Sequence, residues 1–482
     1  MEEDPQLHPT LMCEAQVVRM MRTFPEDAGI QVWAARAIEK LSADESYGDR
    51  TTRRSLGQAG ACAALVTALV THCHNAAVQT TALRAVCSLA KGCPANCGIF
   101  QDADIATALI GAMRTHAAHA GTQVAACMAM ASLVSAASSA GVNCAVQLAT
   151  VGATDALVAA VRAHIQHAMV PKQALYAMYT LALRCLGPAD VALPQQLLAA
   201  QVAQAVVAAM RTDITEQTLQ AAAASAIEGL VQHNDGGGAA AIAQQFLDAG
   251  VGEALVEAVA ASSPYGAAAH TLNALTALVH HGGSAAQLLA AGGAEAIMAA
   301  VGRLCTRGRA LSPVVQFGRA RVLSAAMKAI AALATKAPAD SARLSAAGAC
   351  QVAVNALKYN ISDDCLLDLS LKTLAALVTA AVSHSPAVAL SLVTAGACEA
   401  ATATLNAVLL SPSGSSNVLT SALRAICGLS ADASAAARLN TAGAREAVAS
   451  AIPRCSNHDD AAQSARLALD RLAVGAADAS SA

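Results

Sequence analysis

Aromatic side chains are nearly missing from this chain of 482 residues: Phe, Trp and Tyr make up 2% of it, although hydrophobic residues make up 55%. A core without large rings has to be assembled from Ala, Val and Leu, and small side chains let helices approach closely. That favours many stacked helices over one large globular core. Charge is scarce and nearly balanced, with 30 Lys+Arg against 33 Asp+Glu and a formal net charge of −3. Totals of this kind lack the basic excess of a nucleic-acid binder, so nucleic acid is not expected as a partner.

Signals for chemistry are equally thin. The glycines of "NDGGGAAA" at 234–241 are not followed by the Lys of a phosphate-binding loop. Cys73, Cys87, Cys93 and Cys97 lie near His72 and His74, but their spacing contains no paired C-x-x-C arrangement, so no metal is expected. Neither a carboxylate pair nor a Ser/His/Asp set stands out, and the chain reads as a non-enzyme without cofactor or small-molecule substrate. His116 with His119, and His164 with His167, read as surface pairs.

The 15 cysteines sit singly in helical phrases such as "RAVCSLA" and "RAICGLS", as reduced thiols do when they serve as small apolar side chains. A reducing compartment follows, with cytoplasm as the expectation and nucleus or cilium still open. The acidic start "MEEDPQLHPT" has no apolar run, which argues against a secretory signal. Between Leu374 and Ala397 the only ionisable residue is His384, enough to imitate a membrane span. The phrase "SHSP" at 383–386 divides it, and two short buried helices are predicted instead.

What the chain does have is repetition. "LSAAGACQVAVNALK" at 344–358 returns as "LVTAGACEAATATLN" at 392–406 and "LNTAGAREAVASAIP" at 439–453. A large apolar residue, two variable ones, Ala or Val, then Gly recurs with anchors at 60, 152, 250, 292, 348, 396 and 443, and degenerate copies at Asp104 and Val202. The spacings run from 42 to 56 residues, the range of helical solenoids. Each unit reads as a short helix closed by left-handed Gly, a second helix such as "CAALVTALVTH", and a third such as "AAVQTTALRAVCSLA". In that third helix Val78, Ala82, Ala85, Val86 and Leu89 share one face, while Thr81, Arg84 and Ser88 fall opposite. The fold expected is all-α, a right-handed solenoid of about nine to ten three-helix repeats. Residues 1–55 would form a partial capping repeat, 56–438 the array, and 439–482 a closing cap and tail.

The pattern resembles the armadillo repeat family, best at "AGACAALVTALVTHCHNAAVQTTALRAVCSLAKG" (59–92), and the resemblance covers nearly the whole chain. A HEAT-type solenoid is the competing reading. The resemblance implies that third helices line a concave groove, where importin-α-like members hold basic peptides with Trp and Asn. At the Trp position this chain has Arg36, Arg84, Met128, Tyr176, Ser225, Asn273, Lys328, Lys372, Arg424 and Leu467. One turn later, in place of Asn, come Lys40, Ser88, Ser132, Thr180, Gly229, Ala277, Ala332, Ala376, Gly428 and Arg471. No ladder for a basic peptide remains; the row is basic at its ends and neutral between.

The expectation is a protein-binding scaffold whose row takes a partner segment with acidic ends, since focused positive charge attracts carboxylates. The bland alternative is solvated Lys and Arg on helix surfaces. A second candidate is "GRLCTRGRALSPVVQFGRARV" at 302–322, read as a basic loop with Arg307 and Arg309 at its centre, fit for an acidic protein surface or RNA unless it is a merely solvated insertion. Other functional readings are a structural component of a large assembly such as a ciliary axoneme, as some armadillo proteins are, or a regulatory subunit of an enzyme complex.

Overall fold

The structure is a computed structural model that describes residues 14–43, 50–136, 144–184, 196, 199–232, 238–263, 266–304, 313–359, 363–411, 415–455 and 459–480. Among these residues every regular element is a helix. They form two compact units, Met1–Val251 and Gly252–Ala482.

The third helices organise each unit. In the first they are α1 (Ala28–Ala43), α2 (Ala76–Ala90), α3 (Ala120–Ala136), α4 (Val170–Arg184) and α5 (Gln217–Gln232). In the second they are α6 (Ala268–Gly282), α7 (Pro313–Lys336), α8 (Asp364–His384), α9 (Ser416–Leu429) and α10 (Asp459–Ser480). Within each unit every one packs on the next, and a second helix such as Ala61–Thr71 and a short one such as Arg50–Gln58 fill in each layer. This is what Ala-rich faces allow: Ala82, Ala85, Ala126 and Ala129 are wholly enclosed, bringing backbones close where bulkier residues would hold them apart.

The repeat signature has a physical cause. Its first position is buried in each described copy, as Leu56, Phe100, Leu148, Phe246, Leu288, Leu344, Leu392 and Leu439. Its last position turns the chain: Gly60, Asp104, Gly152, Gly250, Gly292, Gly348, Gly396 and Gly443 all have φ between 57° and 101°. One anchor moves. Gln201 (φ 54°) takes the left-handed place predicted for Val202, because a β-branched side chain resists that conformation. Val202 instead opens the following helix, buried.

Two further expectations change. Thr81 is buried rather than facing solvent, its hydroxyl donating to the Ala77 carbonyl at 2.8 Å. Helix α7 runs through Arg319 and Arg321, so the basic stretch is mostly helical, and Arg303 ends the second helix Gly293–Leu304. Arg307 and Arg309 lie outside the described residues. The apolar stretch around 374–397 divides at the predicted place, α8 ending at His384 and Pro386 starting the helix Pro386–Ala395, but the two are not short buried helices: α8 has 21 residues, and the second buries only Val388, Leu392 and Val393. Helix α8 is long and apolar enough to cross a membrane, yet it packs between α7 and α9.

Candidate partner-binding face

In the first unit a buried glutamine sets the rotation of the third helix. Gln31, Gln79, Gln123 and Gln220 each stand five residues before a row residue, Arg36, Arg84, Met128 and Ser225. Each Nε2 donates to the carbonyls ten and seven residues earlier, those of Met21 and Phe24, Leu69 and His72, Met113 and His116, and Met210 and Asp213, at 2.7–3.0 Å. These carbonyls lie at the end of the second helix and in the turn after it; those of Phe24, His72, His116 and Asp213 also accept a backbone N–H three residues on, at 2.9–3.3 Å. The clamp buries the glutamine and turns the row residue outward.

Neighbouring repeats are tied by two more devices. Arg22, Arg114 and Arg211 lay a guanidinium over Gly60, Gly152 and Gly250 of the next repeat, and Arg114 Nη2 donates to the Val151 carbonyl at 3.1 Å. A Cβ on Gly60 would stand 1.9 Å from Arg22 Nη2. Looking backward, Nε2 of His72, His116 and His164 donates to the carbonyls of Pro25, Cys73 and Ala117 at 2.7–2.8 Å. Of the predicted surface pairs, His116 and His164 are thus half-buried and engaged, while His119 and His167 are exposed, with Nδ1 respectively bonded to the Thr122 hydroxyl and accepting from the Val170 N–H. Sequence reasoning missed all three devices, although a signal exists: Met-Arg-Thr at 21–23, 113–115 and 210–212 is followed by Gln ten residues after each Met.

The row itself is where the sequence placed it. Arg36, Arg84, Met128, Tyr176, Lys328, Lys372, Arg424 and Leu467 are exposed, and Ser225 and Asn273 are half-buried, while the residues immediately following each are buried, Leu467's included. Lys40 is exposed one turn after Arg36, but Thr180, Gly229, Ala277 and Ala332 are buried. At Gly229 a Cβ would come within 2.9 Å of the Tyr179 ring, so that position admits no side chain without movement.

Charge on the row is uneven. Arg84 pairs with Glu39 at 3.0 Å, Lys372 with Asp368 at 2.7 Å, and Arg424 with Asp460 at 2.6 Å. Arg36, Lys40 and Lys328 have no ion-pair partner among the described residues. Between α1 and α2 a cleft of about 800 Å³, reached also by His119, is lined by Arg36, Lys40 and Arg84 against Glu39 alone. A neighbouring cleft of about 440 Å³ between α2, α3 and α4 is lined by Met128, Tyr176, Cys87 and Ala131, with Lys91 at its edge. In the second unit a cleft of about 390 Å³ holds Lys372 and Arg424 with three carboxylates, Asp368, Asp459 and Asp460. The row is basic at its first end; at its last the cations are matched.

The thiols are quiet. Burial, with Cys144 and Cys93 nearby, pushes Cys97 up to about 12, and burial pushes Cys127 up to about 12. Cys398 rises to about 12 through burial and the Glu399 charge. Cys73 and Cys365 are exposed. Among the described residues no three His, Cys, Asp or Glu side chains gather as a metal site.

No family model matches the sequence, and no curated protein matches it. Solved structures do match in shape. The crystal structure of an engineered protein superposes with a TM-score of 0.75 at 20% identity, over 96% of this chain and 99% of that one. A structure described as a conserved phosphorylation switch controlling the interaction between cadherin and beta-catenin superposes with a TM-score of 0.67 at 16% identity, over 96% of this chain and 83% of that one. At such identity the likeness speaks of fold. The chain is an all-α solenoid of helical repeats, and neither description names an enzymatic activity.

Proposed function

We propose that the chain is a non-enzymatic, armadillo-type scaffold that holds an extended segment of a protein partner along the row of its third helices. One observation carries this reading: the same position stays open to solvent in successive third helices, whatever residue fills it, while its neighbours are buried. Stacked repeats give equivalent positions equivalent exposure, and the Arg, Met, Tyr and Lys left open there offer a surface that can read a partner at one-helix intervals. The clefts beside the row add concave surface where side chains of a bound segment can seat. Support of a second kind comes from the beta-catenin structure, an armadillo-type chain whose description names an interaction with another protein. A cytoplasmic location agrees with thiols that burial keeps protonated.

The test compares partners captured by the native chain with those captured by a variant carrying Arg36→Glu, Arg84→Glu, Lys372→Glu and Arg424→Glu. These side chains are exposed, so the variant is expected to fold, as circular dichroism would verify. Loss of one partner supports the scaffold reading; retention of all partners, crosslinked through second helices, overturns it.

A further inference from the structure

We propose that the face of the first unit selects a protein segment carrying paired carboxylates about five to six residues from a large apolar side chain; this rests on the scaffold function above. Arg36 and Lys40 lie one turn apart on α1, both exposed and both without an ion-pair partner among the described residues. The acidic side chain between them, Glu39, is engaged by Arg84 at 3.0 Å, so it supports the cleft wall while leaving both cations available. Two unpaired cations at a cleft of about 800 Å³ call for two anionic oxygens, and in a protein partner the common source is adjacent Asp or Glu.

The neighbouring cleft asks for something different. Met128 and Tyr176 are 38% and 46% exposed, among the largest apolar side chains left open on this face. They stand beside Ala131, Ala136 and Cys87, a mostly apolar lining. Cys87 and Ser132 satisfy one another at 3.2 Å, so two of its polar groups already have a partner. With α2 packed between them, α1 and α3 are two steps of about 8–10 Å apart, a distance an extended chain covers in about five to six residues. Carboxylates at Arg36 and Lys40 therefore place a side chain about five to six residues away at Met128, beside the cleft that Tyr176 closes from α4. In the second unit the same segment would meet Asp368, Asp459 and Asp460, which repel it.

Fluorescence anisotropy on the full chain tests this with a labelled peptide Glu-Glu-Ser-Gly-Ser-Gly-Phe-Gly and its reverse, because the chain direction is not set by the clefts. Controls replace Glu-Glu by Lys-Lys, or Phe by Ala. One direction of the acidic, Phe-bearing peptide is expected to bind at least about tenfold more tightly than either control. Arg36→Glu with Lys40→Glu should erase the preference for acid, Tyr176→Ser with Met128→Ser the preference for Phe, and Lys372→Glu with Arg424→Glu neither. Equal binding of acidic and Lys-Lys peptides, no binding in either direction, or indifference to the Arg36 and Lys40 reversal overturns the proposal. Natural partners that crosslink to the row yet survive that reversal would sink this selectivity and leave the scaffold reading intact; partners held only by second helices would sink both.

Discussion

At the position five residues before the row, four third helices of the first unit carry a buried Gln, whereas the second unit carries Ala268, Leu323, Leu367, Leu419 and Ala462. The first unit also ties repeats together by Arg over Gly and by His to carbonyl. In the second unit the backward link falls to arginine: Arg303 donates to the Val259 carbonyl at 2.6 Å, and Arg454 to those of Val408 and Leu409 at 2.9 and 3.1 Å. Each unit nonetheless presents such a row. Two solutions to satisfying helix ends therefore serve the same kind of row in each unit, and the row is the better guide to function.

The largest effect should be common to both units. Phe100→Ala in the first and Leu344→Ala in the second each empty a sealed core position, at a cost of about 3–5 and 2–5 kcal/mol, read by denaturant unfolding. The comparison sharpens at the clamp. Gln123→Leu strands the Met113 carbonyl, leaves that of His116 with only the His119 N–H, and should cost about 2 kcal/mol, while Leu367→Met, a volume-conserving exchange, should stay below about 1.5. If Gln123→Leu proves neutral, the clamp is not what holds the first unit's third helices.

Glycine anchors divide the units next. Gly60→Ala imposes a left-handed Cβ and collides with Arg22, whereas at Gly348 (φ 101°) nothing lies within 4 Å and only backbone strain of about 1–2 kcal/mol is expected. A pH series touches the second unit. Burial and the Arg321 charge lower the pKa of His270, and burial with Lys336 and His281 lowers that of His280, both from an ordinary 6.5. The unfolded chain then binds protons first, so stability falls as pH drops through 6.5 and levels off below the folded values. His270→Gln with His280→Gln should flatten that part of the profile. The smallest effect concerns thiols: iodoacetamide should modify Cys73 and Cys365 and leave Cys97, Cys127 and Cys398 intact until the fold opens.

Much of this was legible because it is written locally. A left-handed turn needs Gly or a tolerant substitute within one residue, so the anchors showed in the spacing, and only Val202 misled. The row was readable because apolar positions at helical period leave one face over. The glutamines were not, since their burial depends on carbonyls outside their own helix that no wheel displays, and Thr81 was not, since its hydroxyl is satisfied within its own helix by the Ala77 carbonyl and so tolerates burial. Charge was half legible: Arg84, Lys372 and Arg424 were found, but Glu39, Asp368 and Asp460, which match them, become neighbours only after packing.

Site-specific photocrosslinking tests the central claim most directly. A photoreactive residue would be placed in turn at Ser225, Asn273 and Lys328 on the row, and at Thr67 and Gln351 on second helices. A captured partner should crosslink from the row positions and not from the second helices. Crosslinks from Thr67 and Gln351 with none from the row would contradict it.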